Sequence, residues 1–518
     1  MGWDLKSVEE GVSDPMAAAE ALRHATGLED TFRATVEAAD AASLAFAHAA
    51  AEPDDTAAQD RLTAARGPLA DARAAALERV LQHSLPDGDA PAARWIRSQA
   101  SRRVSGAGGA AEAESGLFAR WQVLSGSVDQ CMVDAPSPSS LAARAQRAHL
   151  VEEAWAPHRV EAARVASEVV RSRLGRARMA GVGPMELAGT SARASAATVA
   201  GMRGLAWDAR PVLQRYLRAR AEHLGAQPGP LPAGVRHQPL DVGENAKPWT
   251  FDEATDHLLR AFGEHAPELA AFARRALRSG WVDAPPKSRF PGTCMHWSSS
   301  RASRIHMVFD GSRDSVVTLA HELGHAFHAD VLYRRGPTPL DLPVSVAETA
   351  SLVAEGIARR SLGGDDEVLL LDAELAGATK WLLDAGQTLA LEERMWHMRA
   401  SGPLDDRLLG DAAVEVAEEW FGPLAHPNRT YWASQWMFFL PGHVALALPY
   451  QLAFGFASLL EPEALAEAWV PLLADTEDAS LETLARRHLG VDLAEAATYG
   501  PVLEGLEAQV ARFEALVL

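Results

Sequence analysis

From Pro15 to about Ala221 apolar residues recur at three- and four-residue spacing, as in Ala75, Leu77, Val80 and Leu81, on a background of Ala, Leu, Arg and Glu. That period is the signature of amphipathic helices, and sustained over two hundred residues it commits the chain to a mainly α fold. Breaks are expected at Glu52–Asp55, Leu85–Pro91, Ser105–Gly116, Asp134–Ser139 and Gly181–Gly189, each rich in Gly, Pro, Ser or acidic residues. The Pro/Gly-rich stretch 225–249 separates a helical N-terminal half, 1–224, from a C-terminal half, 250–518, in which the chemistry concentrates.

Only one region breaks the helical pattern. Arg304-Ile305-His306-Met307-Val308-Phe309 reads as a short strand with Asp310-Gly311 as its turn, so a small sheet is expected beside the helices. Thr430–Leu460 holds no Asp, Glu, Lys or Arg over 31 residues, a length that matches a membrane span. Pro441, Gly442, His443, Pro449 and Gln451 interrupt it and no basic cluster flanks it, so it is expected to be a buried helix pair lining a cavity.

Charge and cysteine content narrow the partners. With 49 Lys plus Arg against 69 Asp plus Glu, the net charge of −20 repels phosphate backbones and anionic lipids, which argues against nucleic acid and membrane partners. Cys131 and Cys294 are the only cysteines, too few for a disulfide framework or a thiolate zinc knuckle, and a reducing cytoplasm is the expected location. The first 15 residues carry four acidic groups and no apolar run, unlike a secretory signal.

The chemistry lies in Leu319-Ala320-His321-Glu322-Leu323-Gly324-His325-Ala326-Phe327-His328. Ser312 is a plausible N-cap for a helix through this stretch, and Asp314 suits its first turn. A four-residue helical step rotates by about 40° and rises about 6 Å, so His321 and His325 project from one face and can share a zinc ion. Glu322 beside them can take a proton from an attacking water and deliver it to a leaving amine. His328, about 10 Å along the axis from His321, is too far to complete the same tetrahedron and is expected to be structural or to support a ligand. A third ligand is needed. Glu348, after the break at Gly336-Pro337 and Pro343, can return from a second helix, yet Ser345-x-x-Glu348 also matches a capping box.

Phe309-Asp310-Gly311, Thr318–His325 with His328, and Ala347-Glu348-Thr349-Ala350-Ser351 followed by Glu355 together resemble the thimet oligopeptidase and oligoendopeptidase F family of zinc peptidases. Trp3-Asp4-Leu5, Lys287 and Gly292 add weaker similarity. The resemblance implies a large helical ellipsoid with an internal channel, a small sheet next to the HExxH helix, and one zinc ion held by His321, His325 and Glu348. It further implies cleavage of internal bonds of short oligopeptides, with the strand at 304–309 pairing with an extended substrate. Where the family carries a His and several Tyr that bind substrate and stabilise the oxyanion, this chain has Trp436 to Phe456, with His443 one residue out of register and Tyr450 as the one phenol. His443 and Tyr450 are therefore the expected catalytic partners of Glu322. The scarcity of phenols leaves room for a specialised zinc hydrolase acting on one peptide-like metabolite, and a noncatalytic peptide-binding protein stabilised by its metal is a further alternative. Cys294 is expected to be inert, His296 and His306 to be loop or strand side chains, and the tryptophans mostly core, with Trp436 a candidate for the channel wall.

Overall fold

The computed structural model describes residues 12–51, 108–131, 141–226, 248–286, 292–340, 342–363, 366–460 and 465–518, with isolated positions between 68 and 96 and between 229 and 240. Trp3-Asp4-Leu5, Lys287, the breaks at 52–55, 85–91 and 134–139, and most of 232–247 lie outside the described residues. The chain divides into two compact units, each built from three separate segments: 1–104, 248–361 and 456–491 form one, and 105–247, 362–455 and 492–518 form the other.

Both units are predominantly helical. The second contains Arg159–Ala180, Ala196–His223, Asp406–Phe421 and the terminal Gly500–Val517, together with a long helix that runs from Glu367 to Ser401 through a π-helical turn at Thr379–Asp384. The described part of the break expected at 105–116 is helical, since Gly108–Cys131 is one helix, so the Ala/Glu content of residues 110–114 overrides the paired glycines that start it. The charge-free run 430–460 is not a helix pair. It folds as the four-residue helix Tyr431–Ser434, a 3-10 turn at Trp436–Phe438, a turn-rich stretch and the 11-residue helix Ala447–Ala457. The first helix ends at Ser434, where Gln435 turns extended, and Pro441 and Gly442, the latter at φ +80°, lie in the turn-rich stretch that precedes the second helix. No helix among the described residues is long and apolar enough to cross a membrane.

The first unit carries the sheet. Strands β1 (Val282–Asp283), β2 (Gly292–Trp297) and β3 (Ala302–Met307) are ordered β1-β3-β2, with β1 parallel and β2 antiparallel to β3. The strand expected at 304–309 runs two residues earlier, from Ala302 to Met307, and it is the inner one: Val282 and Asp283 pair with Ile305 and His306 on one side, and β2 covers the other. Its backbone is occupied, and β2 is the edge to which an extended chain can add.

Strand alternation gives the hairpin two distinct faces. Met295, Trp297 and Ala302 pack with Ala47 of the helix Leu28–Ala51. Gly292, Cys294 and His296 face the other way, toward the helix Arg313–Tyr333. The hairpin is anchored at its turn by Asp40, whose buried carboxylate accepts the amides of Ser298 (2.6 Å) and Ser299 (3.0 Å). Ser298 reaches on from there to donate its hydroxyl to the Thr338 carbonyl.

Helix Arg313–Tyr333 begins where the sequence indicates, with the Ser312 hydroxyl accepting the Ser315 amide. It is buried on nearly every side, with Phe327 packed between Phe272 and Trp469. Helix Val344–Gly363 crosses it at Gly324, where a Cβ would lie 2.8 Å from the Ser351 Cα and 2.9 Å from the Ala350 carbonyl oxygen. Only glycine lets these two backbones approach so closely, and that approach brings Glu348 to the histidines.

Candidate metal centre and active site

His321 and His325 project from one face of their helix, as their spacing requires, with ring centroids 4.8 Å apart. Glu348 Oε2 lies 3.3 Å from His321 Nε2 and 3.6 Å from His325 Nε2, and one donor atom from each of the three residues falls within a 4.8 Å cluster. A tetrahedron with metal–ligand bonds of about 2.1 Å has edges of about 3.4 Å, so the two separations from Glu348 match edges around a small divalent cation. His321, His325 and Glu348 could hold a metal ion, with one corner left for water or substrate. The capping-box alternative loses its basis, because the helix starts at Val344 and Ser345 already lies inside its first turn.

Each of the three side chains is oriented from behind. His321 Nδ1 is 3.2 Å from Glu355 Oε2, and Glu355 in turn accepts from Arg359 Nε at 2.9 Å. His325 is hydrogen-bonded to the backbone of Ala347. The Ser351 hydroxyl donates to Glu348 Oε2 at 2.9 Å. Such outer partners fix the tautomer and ring orientation of ligating imidazoles. The sequence shows Glu355 only as part of a family match; its signal is the seven-residue step from Glu348, two turns along one helix face.

The charges are those of a cation site. Burial works against a proton on His321, yet its bonds to Glu348 and Glu355 outweigh burial and push its pKa up to about 10. Burial also opposes the Glu348 carboxylate, but the charge on His325 and the bond to His321 hold it down at about 2. His325, with less help from carboxylates, is pushed down by burial to about 4. Two carboxylates thus converge on one imidazole and are compensated by its proton, a field that equally favours a divalent cation.

Glu322 stands apart from these three. Burial, with a smaller contribution from Glu348, pushes its pKa up to about 7 against the pull of His321. Its Oε2 is buried and has no hydrogen-bond partner among the described residues. Strand β2 passes directly over it, since a Cβ at Gly292 would lie 2.7 Å from Glu322 Oε1. A carboxyl titrating near neutrality, with one oxygen unspent, is equipped to exchange protons.

The remaining residues singled out from sequence separate clearly. His328 is buried with its Nε2 2.7 Å from Thr476 Oγ1, a structural contact. Burial, then the charges of His325 and His296, hold its pKa down at about 3, whereas an unfolded histidine titrates near 6.5. Since the unfolded chain takes up this proton first, His328 leaves stability untouched above about pH 6.5 and erodes it as the pH falls toward 3. Urea unfolding is therefore expected to show a stability loss between pH 7 and pH 5 to which His328 contributes on the order of 2 kcal/mol, absent in His328→Gln. His306 is buried against Asp283 (2.8 Å) as a strand side chain. Cys294 lies on the β2 face over Glu322, and burial, with the Glu322 charge, pushes its thiol well above its ordinary pKa.

His443 and Tyr450 belong to the second unit. The stretch carrying His443 is gripped through its backbone by buried charges: Arg173 pairs with Glu392 (2.7 Å) and donates to the Leu440 carbonyl (3.1 Å), while the amides of Gly442 and Ala445 donate to Glu114 (2.9 Å) and Glu392 (3.2 Å). Tyr450 stacks on Trp381 with ring centroids 5.0 Å apart and planes 4° from parallel. Most described tryptophans are buried, and Trp436 is 41% exposed.

No family model matches the chain. Over 222 residues it is 26% identical to Oligopeptidase PepF of Bacillus subtilis (strain 168), a match that covers 41% of this chain and 32% of that protein, so the alignment spans about a third of its relative. Among solved structures it is similar to PZ peptidase A with an inhibitor, at TM-score 0.72 and 13% identity over 98% of this chain and 97% of that one. It is also similar to oligoendopeptidase-F from Enterococcus faecium, at TM-score 0.59 and 15% identity over 99% and 98% of the two chains. The structural matches show that the chain shares its fold with these oligopeptidases over nearly its full length, and the distant sequence matches are to proteins of the oligopeptidase F family.

Proposed function

We propose that this protein is a zinc-dependent endopeptidase that hydrolyses internal bonds of short oligopeptides with an activated water. The observation that carries the proposal is the pairing of a two-His, one-Glu donor set with an unligated, buried Glu322. A site built only to brace the fold has no use for a buried carboxyl beside the donor set whose Oε2 has no hydrogen-bond partner among the described residues. Two imidazoles and one carboxylate suit zinc, which when bound lowers the pKa of water and polarises a carbonyl.

The protein's own groups supply the rest. Glu322 accepts the proton of the attacking water at Oε2, its unpartnered oxygen, and passes it to the leaving amine. Glu355 and the Ala347 backbone hold the imidazoles so that both Nε2 atoms face inward. The β2 edge offers main-chain hydrogen bonds to an extended peptide, which supports a peptide over a compact substrate. On the family resemblance alone, His443 and Tyr450 complete the proposal as substrate- or oxyanion-binding groups.

The test is mass spectrometry of digests by the zinc-loaded protein, using defined peptides of roughly 5 to 20 residues alongside casein, the size range being one the family fold suggests. Internal cuts in many peptides, little breakdown of casein, and loss of cleavage on chelation are expected. Cleavage of a single sequence favours a specialised hydrolase, for which the scarcity of phenols speaks. Stoichiometric zinc with no turnover overturns the peptidase reading.

A further inference from the structure

The β2 face over the metal centre carries one polar group without a role in the chemistry described. Gly292 points at Glu322, and two-residue steps of about 6.7 Å along the strand place Cys294 and then His296 on the same face. His296 is partly exposed and near enough to His325 for that residue's charge to bear on it. It is paired in register with Ser303 of β3, and its Nδ1 lies 2.9 Å from Ser303 Oγ and 4.0 Å from Cys294 Sγ.

Ser303 Oγ and Cys294 Sγ both lie beside Nδ1, and each can donate to it or accept from it. Nε2 has no partner among the described residues. Burial favours the neutral ring, which presents Nε2–H when Nδ1 accepts from Ser303.

We propose that His296 is a substrate-binding residue: its Nε2–H, oriented by Ser303, donates to a main-chain carbonyl of a peptide lying along β2 beside the metal centre. The inference rests on the peptidase reading above and adds to it a specific donor. Main-chain carbonyls are common to every peptide, so His296 contributes affinity without side-chain selectivity. Ser303 is a positioning residue.

The test uses the full-length zinc-loaded protein, with KM and kcat on the best-cleaved peptide and calorimetric binding of a phosphinic analogue of that peptide. In His296→Ala, KM and the analogue's Kd are expected to rise about tenfold, the loss of one well-placed hydrogen bond, with kcat within about threefold and zinc content unchanged. His296→Gln, whose amide can still donate, is expected to recover part of the affinity, and Ser303→Ala to shift KM in the same direction by less. Unchanged KM and Kd with a lowered Tm overturn the inference and make His296 a strut between β2 and β3. A fall in kcat at constant KM also overturns it, because the group then acts in the transition state. If wild type neither cuts peptides nor binds the analogue, the peptidase reading fails first and the inference falls with it; if wild type does both and the variants match it in KM and Kd, the inference alone fails.

Discussion

Glu322→Gln is expected to abolish hydrolysis, by on the order of 10³-fold or more, while zinc content stays near that of wild type. The reason lies in the separation of roles around the site. His321, His325 and Glu348 converge on one point, whereas Glu322 keeps an oxygen that is buried and unbonded. Gln preserves the shape of the side chain, so the close passage of Gly292 over it is undisturbed. It cannot accept and release a proton, and proton transfer by a positioned side chain contributes typically 10²–10⁴-fold. The same substitution removes a carboxyl that burial pushes up to about 7, so Tm should hold or rise, as is usual where a catalytic group is kept at some cost to stability. Turnover, metal content and Tm measured together check the assignment. Retention of a substantial share of wild-type turnover overturns the general-base role, and His321→Ala, which should lose both metal and turnover, serves as the contrast.

Much of this centre was legible in the sequence because its key elements are local. A four-residue step on a helix fixes the relative direction of two side chains before any tertiary contact forms, and Ser312 marks where that helix starts. Glu348 was legible only as one of two possibilities. A Ser-x-x-Glu pattern cannot say where its helix begins, and what decides is the close crossing at Gly324, a long-range fact. Glu355 carried a periodic signal but no chemical one, since a carboxylate two turns from a ligand is equally common on a solvated face. The strand at 304–309 was found, but its place in the sheet was not: β1 is two residues long and its parallel pairing leaves no pattern to read. The charge-free run at 430–460 misled for a related reason. Apolar content reports burial and does not report path, and the short elements of this stretch are set by Pro441, by Gly442 and by buried carboxylates contributed from distant helices.

Glu348→Gln is the second change with a large expected effect, and it weighs charge against shape. The Ser351 hydroxyl can still donate to the amide oxygen, so the helix Val344–Gly363 and its crossing at Gly324 have no reason to move. What is lost is the negative charge facing two imidazole nitrogens at 3.3 and 3.6 Å. An amide oxygen is a far weaker partner for a divalent cation, so zinc affinity is expected to fall by on the order of 10²-fold or more. Glu355→Gln supplies the scale: of the three residues of the donor set, Glu355 meets His321 at its far nitrogen, and loss of such an outer partner typically costs 10–100-fold in affinity. The ordering in zinc affinity should therefore be Glu348→Gln beyond Glu355→Gln, while the metal-free proteins lose Tm in both, because each carboxylate stabilises the proton on His321. Competition titration against a chelator of known affinity measures both. If Glu348→Gln binds zinc within about threefold of wild type, the carboxylate is not a ligand, whatever its distance from the histidines, and the third corner of the site must be filled by another group.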